Sequence, residues 1–171
     1  MKYFKYLKYV LRHKWFVFVE CFKRGLIWRG LVHDLSKFHP FEFISYARWF
    51  NDDMGFKFMN EEWDDHKYWT NETHHKIRRD FELAWLFHQK KNKHHWQYWI
   101  LLEDGGDKKV LDMPEIYMIE MVCDWIGAGK AIHGKNDTKD WYKKNWYKMT
   151  MSEKTKEYVE KLINDHAEKS K

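Results

Sequence analysis

The run Leu31-Val32-His33-Asp34-Leu35-Ser36-Lys37 sets an imidazole beside a carboxylate within an apolar stretch, with an ammonium three residues on. Adjacent His and Asp side chains at a helix end can converge on one divalent cation. The His offers a neutral nitrogen and the Asp a hard anionic oxygen. About one His-Asp pair is expected by chance in a chain this rich in both, so the dipeptide needs company. It has His13 upstream, and His88, His94, His95 and Asp124 downstream.

The elements that must position these residues are helices. Two prolines, eight glycines and frequent periodic apolar residues predict an all-α fold. A first helix is expected over about Lys2–Lys23, stopped at Gly25. On it Tyr6, Val10, His13 and Val17 follow the i, i+4, i+7, i+11 spacing of a buried stripe, so His13 points inward. A second helix from about Leu26 carries His33 and Asp34 near its end, and Pro40 suits the first turn of a third, running to about Phe50.

Residues from Asn51 to about Asn71 are polar, acidic and aromatic; a long loop with a short helix near Glu61–Lys67 is expected there. A fourth helix should span about Glu72–Lys91, with Ile77, Phe81, Ala84 and His88 on its buried stripe. On a continuous helix only one of His94 and His95 could join His88, whereas a break at Asn92 presents both. Glu103–Asp107 reads as a turn. The next helix should start near Asp112-Met113-Pro114-Glu115, with Asp112 as its cap. It buries Tyr117, Met121, Asp124 and Ala128, and the Gly127–Lys130 run is expected to close it. A last amphipathic helix covers about 152–168, through Tyr158, Val159, Leu162 and Ile163.

Composition narrows the class. The 171 residues suit one domain with a real core, and 19% aromatic content must fill that core and line a cleft. A net charge of +5 favours anionic partners without singling out nucleic acid, for which no specific motif is present. Lys2, Lys5 and Lys8 read as a solvated face. Cys21 and Cys123 show no metal or disulfide spacing and are expected as small buried groups in a reducing cytosol. Trp15–Phe22 is too short to span a bilayer, so a cytoplasmic protein without a membrane span is expected. Gly127-Ala128-Gly129-Lys130 is no P-loop, because no strand precedes it.

His13, His88 and Asp124 thus sit on the apolar stripes of three helices, with His33-Asp34 as a fourth site. Burying such groups unpaired costs several kcal/mol, on the order of the desolvation of a polar or charged group. A shared cation would neutralise the carboxylates and use the imidazole nitrogens together.

This order of residues (His, His-Asp, His, His-His, Asp) resembles the HD-domain metal-dependent phosphohydrolase superfamily, and in its extra histidines the two-metal branches that include the HD-GYP phosphodiesterases. The chain has no Gly-Tyr-Pro triplet, and His88 stands closer to the His pair than in those proteins. The resemblance implies a single helical domain over 1–171. It places a first metal on His13, His33, Asp34 and Asp124, and a second on His88, His94 and His95, with Asp34 bridging. Iron or manganese is favoured, with zinc, magnesium, cobalt or nickel as other divalent choices.

The implied activity is hydrolysis of a nucleotide or other small phosphoester by a metal-activated water. In that scheme Asp34 and Lys37 are catalytic, Lys37 holding a phosphate oxygen. His39 and Glu42 are candidates to orient ligands, Lys130 and Arg48 weaker phosphate candidates. Two alternatives stay open: a di-iron oxygenase of the HD type, and a non-enzymatic binding protein with a structural metal. Much of residues 10–165 also resembles an uncharacterised family common in phage and bacterial genomes, through His33–Phe38, Phe81–Trp99, Met113-Pro114, Glu120–Trp125, Gly127–Ala131 and Trp141-Tyr142. A phage origin would make the compartment the host cytoplasm.

Overall fold

The computed structural model describes residues 2–51 and 72–168. The fold class is all-α. Helices α1 (Lys2–Phe22), α2 (Ile27–Val32), α3 (Pro40–Asn51), α4 (Glu72–Lys91), α5 (Glu115–His133), α6 (Thr138–Asn145) and α7 (Glu153–Glu168) follow in chain order. Short 3-10 turns cover Leu35–Phe38, Trp96–Trp99 and Trp146–Lys148. Apart from Asn51, the loop expected over Asn51–Asn71 lies outside the described residues. Among the described residues no helix is long and apolar enough to cross a membrane.

Two compact units divide the chain, residues 1–11 with 35–88 and residues 12–34 with 89–171. In the first, Tyr6 and Val10 of α1, Tyr46 and Ala47 of α3 and Ala84 of α4 form the core. Aromatic rings complete it. Phe81 stacks on Trp49 at 4.7 Å and meets Tyr46 edge-on at 5.2 Å, arrangements that suit the ring quadrupoles.

In the second unit, α5 supplies the centre. Met118, Met121, Val122 and Ile126 pack with Tyr142 of α6 and with Val159 and Ile163 of α7. Ser152 accepts the Thr155 backbone N–H at 3.3 Å and caps α7. A second cluster joins Val17 and Cys21 of α1 to Cys123 of α5, so both cysteines serve as buried apolar groups. A two-stranded hairpin pairs β1 (Ile100–Leu102) with β2 (Lys108–Val110), Ile100 opposite Val110. It is built on the turn expected at Glu103–Asp107, where Gly106 takes φ +88°.

Two expectations for α5 are corrected. Asp112 does not cap it: Pro114 occupies that position without a side-chain cap, and Asp112 lies 3.6 Å from Lys154 instead. Nor does the Gly127–Lys130 run close the helix, which continues to His133 and ends on left-handed Gly134, φ 74°. The two glycines are there for close approach. A Cβ at Gly127 would stand 2.4 Å from Val17 Cγ2, and one at Gly129 2.4 Å from Asp137 Oδ1.

Candidate metal centre

His13 lies on the inner stripe of α1 between Val10 and Val17, and it is 1% exposed. His33 caps the C-terminus of α2 with φ −51° and ψ 129°, and Asp34 follows with φ 52°. That left-handed backbone costs an L residue roughly 1–2 kcal/mol, least for Asp and Asn. It breaks the helical register, so the imidazole of His33 and the carboxylate of Asp34 can face one point. Lys14 of α1 donates to the His33 carbonyl and holds the kink in place. Helical spacing between Asp34 and Lys37 therefore does not apply: Lys37 sits in the separate 3-10 turn Leu35–Phe38.

Four donor atoms from α1, the α2 end and α5 converge. His13 Nε2 is 3.0 Å from Asp124 Oδ1 and 3.8 Å from Asp34 Oδ2. His33 Nε2 is 3.3 Å from Asp124 Oδ1 and 3.4 Å from Asp34 Oδ2. With metal–donor bonds near 2.0–2.2 Å, two ligands of one ion stand about 2.9 Å apart at right angles and about 3.4 Å apart at the tetrahedral angle. The observed separations are close to the edges of such a polyhedron.

The other oxygen of Asp34 faces elsewhere. Oδ1 is 3.3 Å from His94 Nε2, and donor atoms of Asp34, His94 and His95 all lie within 4.8 Å of one another. Both histidines join this group because α4 ends at Lys91 and the chain turns through 92–95 before the next 3-10 turn. The break expected at Asn92 is present.

Glu120, one turn before Asp124 on α5, is a further acid at the site that the sequence candidates do not include. Its Oε1 is 3.1 Å from His33 Nδ1 and 3.4 Å from His94 Nδ1, and the two rings lie 4.4 Å apart. Accepting both Nδ1–H groups fixes the tautomers and turns the Nε2 lone pairs towards the oxygens of Asp34 and Asp124. Lone pair against lone pair is repulsive unless a cation or a proton lies between. His33, His94 and Glu120 also converge closely, but through the Nδ1 atoms; this is an orienting contact, with the ligand atoms on the other side of each ring. Arg29 balances Glu120 from outside at 3.4 Å, its guanidinium 4.2 Å over the Tyr117 ring.

The same charges decide which of these groups hold a proton. Burial pushes the His33 imidazole down, yet Asp34, Asp124 and Glu120 outweigh it and raise its pKa to about 9. Burial likewise opposes Glu120, but His33 and His94 hold its carboxyl down at about 2. Burial would raise Asp124 too, and bonds from His13 and His33 bring it well below the usual carboxylate range. Taken together, these buried His, Asp and Glu groups could hold a metal ion.

His88 belongs to the first unit, fully buried on α4, where its Nδ1 lies 2.8 Å from Glu42 Oε2. Ser36 donates to the same oxygen at 3.1 Å. Glu42 thus orients His88, whereas His39 is exposed and its Nδ1 accepts the Phe41 N–H. Lys130 bonds the buried carboxylate of Glu20 at 2.7 Å, alongside Lys23 and Arg24, and its role is structural. Arg48 lines a cavity with Lys2, Glu72 and Lys76 in the first unit.

A model of DUF5662, described as a family of unknown function, matches residues 2–165. The chain belongs to that family. No curated protein and no solved structure matches it. For this DUF5662 chain the donor geometry is therefore the main guide to function. One sequence signal for Glu120 did exist: it is an acid four residues before Asp124 in an otherwise apolar helix, a spacing that puts both carboxylates on one face.

Proposed function

We propose that this protein is a metal-dependent phosphohydrolase acting on a nucleotide or another small phosphoester. The observation that carries this is the division of Asp34, with Oδ2 towards His13 and His33 and Oδ1 towards His94. A carboxylate placed between two sets of imidazoles suits a pair of divalent ions, the arrangement the resemblance to HD-domain enzymes implies. Bound there, such ions supply a water acidified from about 15.7 towards 7 and polarise a phosphoryl oxygen.

The chain's own residues do the rest. His13, His33 and Asp124 complete one donor set, and His94 and His95 belong to the other. Glu120 keeps the Nε2 atoms of His33 and His94 as the ligating nitrogens. Asp124 retains 13% of its side-chain exposure and His95 is half-buried, while His13, His33 and Asp34 are closed off. Solvent and substrate then approach from the Asp124 and His95 side, as an open catalytic site requires. Lys37, three residues after Asp34, supplies a positive charge for the phosphate.

The test is metal content and anaerobic phosphate or nucleoside release from a panel of nucleotides, for wild type and Asp34→Asn. Asparagine tolerates the left-handed backbone as aspartate does, so the variant removes the ligand charge and keeps the turn. Retained metal and retained turnover in Asp34→Asn would end the proposal.

A further inference from the structure

Helix α1 is apolar on two sides. Its inner stripe, His13, Val17 and Cys21, is buried. Its outer stripe, Trp15, Phe18 and Phe22, follows the i, i+3, i+7 spacing of a face that seeks an apolar partner. Yet Trp15 is 61% exposed and Phe22 57%. The stripe is continuous, with Trp15–Phe18 and Phe18–Phe22 ring centroids 6.0 and 6.1 Å apart.

Helix α2 extends it. Gly30 of α2 sits against Phe18, where an added Cβ would lie 3.0 Å from the Phe18 Cα. On α2, Ile27, Trp28 and Leu31 are 48%, 73% and 52% exposed. Large rings this open on two adjoining helices form a patch of the kind that marks an interaction site.

Charge selects the partner. Residues 12–31 hold five cations, Arg12, Lys14, Lys23, Arg24 and Arg29, and a single acid, Glu20; Arg12 and Lys23 are exposed, whereas Lys14 and Arg29 are engaged by the His33 carbonyl and Glu120. Glu20 is 0% exposed and already bonded by Lys23, Arg24 and Lys130. The α1–α2 surface thus presents aromatic groups among basic residues with no exposed carboxylate. We propose that it docks on an anionic lipid surface, the tryptophans at headgroup depth and the Lys and Arg side chains on the lipid phosphates. A symmetric pairing of two copies through the same face is disfavoured, because it would set cations against cations.

Sedimentation with vesicles of phosphatidylcholine alone, or of phosphatidylcholine with phosphatidylglycerol, tests it on the full chain. Wild type is expected to pellet with the anionic vesicles at low salt, to be released by added salt, and to ignore the neutral ones. Trp15→Ser with Trp28→Ser should abolish pelleting, and Lys23→Gln should weaken it about fivefold, the loss of one surface cation near such a membrane. Because these side chains are largely exposed, melting temperatures of the variants report that the fold is intact. Wild type left in the supernatant with both vesicles, or pelleting unchanged in folded variants, overturns the proposal. So does a concentration-dependent dimer that the tryptophan substitutions dissolve while vesicle binding is absent.

Discussion

Glu120 Oε1 lies 3.1 Å from Nδ1 of His33, and this contact decides which nitrogen of the ring can meet a cation. With the Nδ1 proton held by the carboxylate, Nε2 presents its lone pair to the space beside Asp34 and Asp124. Glu120→Gln keeps the shape but loses the charge that stabilises this tautomer. Outer partners of this kind typically contribute 10- to 100-fold in metal affinity, and a loss of about that size is expected. Competition against a chromophoric chelator measures it; equal affinities in the two proteins would leave Glu120 without an orienting role.

Metal stoichiometry separates one ion from a pair. If both oxygens of Asp34 are used, protein loaded with manganese or ferrous iron should carry about two ions per chain, as bridged two-metal sites do. His95→Ala should lose one of them and His13→Ala the other, whereas Asp34→Asn should lose most of both. Metal binding to the folded state alone also stabilises by about 2.7 kcal/mol at 100-fold over the dissociation constant, so a chelator should lower the melting temperature of wild type. A melting curve indifferent to chelation would mean the imidazoles are core groups only.

The approach of α1 to α5 at Val17 and Gly127 lies one helical turn from the His13–Asp124 contact. Gly127→Ala gains about 1 kcal/mol of helix propensity. Against that, its Cβ would meet Val17 Cγ2 at 2.4 Å and the Val17 backbone nitrogen at 3.0 Å. Backbone cannot swing aside as a side-chain tip can, and overpacking typically costs 1–3 kcal/mol, so a net destabilisation of up to about 2 kcal/mol is expected. Metal affinity should fall with it. Urea midpoints of the metal-free proteins decide the first point, and a variant as stable as wild type would contradict it.

How much of this is legible in the sequence depends on whether a residue's neighbours lie along the chain. The inward direction of His13 follows from Tyr6, Val10 and Val17 alone, and the interruption after Lys91 from the polar Lys90–Lys93 run. Gly127 is different. A glycine inside a helix and one ending it look alike until Val17, 110 residues away, occupies the missing side chain's place. Glu120 is harder to read, because an acid in a helix is ordinarily solvated, and only the imidazoles of His33 and His94 give it a buried purpose. Asp112 has the right letters for a cap, but Pro114 starts the helix too late for it to serve.

Proton and metal should compete. In the metal-free protein His33 titrates at about 9, above its ordinary 6.5. A raised folded-state value means that protonation stabilises the fold: the contribution is complete below about 6.5 and is lost as pH climbs through 9. Glu120, held at about 2, contributes above its ordinary value and loses that contribution as pH falls towards 2. Metal-free protein should therefore melt progressively lower between neutral pH and about 9, a slope that bound metal should flatten because it keeps His33 deprotonated. Between those limits metal binding must expel a proton. Calorimetric titration in two buffers of different ionisation enthalpy reads this directly, and identical apparent enthalpies would contradict it.

Hydrolysis, oxygenation and simple binding can be told apart with one lysine and one gas. Lys37 follows Asp34 by three residues, and the proposed hydrolase reading gives it the role of holding a phosphate oxygen. Cationic groups aimed at charge that develops in the transition state are worth on the order of 10²–10³ in rate each. Lys37→Ala should then keep its metal and lose turnover by about that factor, because an ammonium that meets only the substrate plays no part in ligation. Wild type should release phosphate or nucleoside without oxygen, since the reaction consumes water. Turnover seen only in air, with ferrous iron and a reductant, would assign the same donors to oxygen activation. Full activity in Lys37→Ala would leave the lysine out of the chemistry. A metal-loaded wild type inert under both atmospheres across nucleotides and phosphoesters would make the centre a structural one.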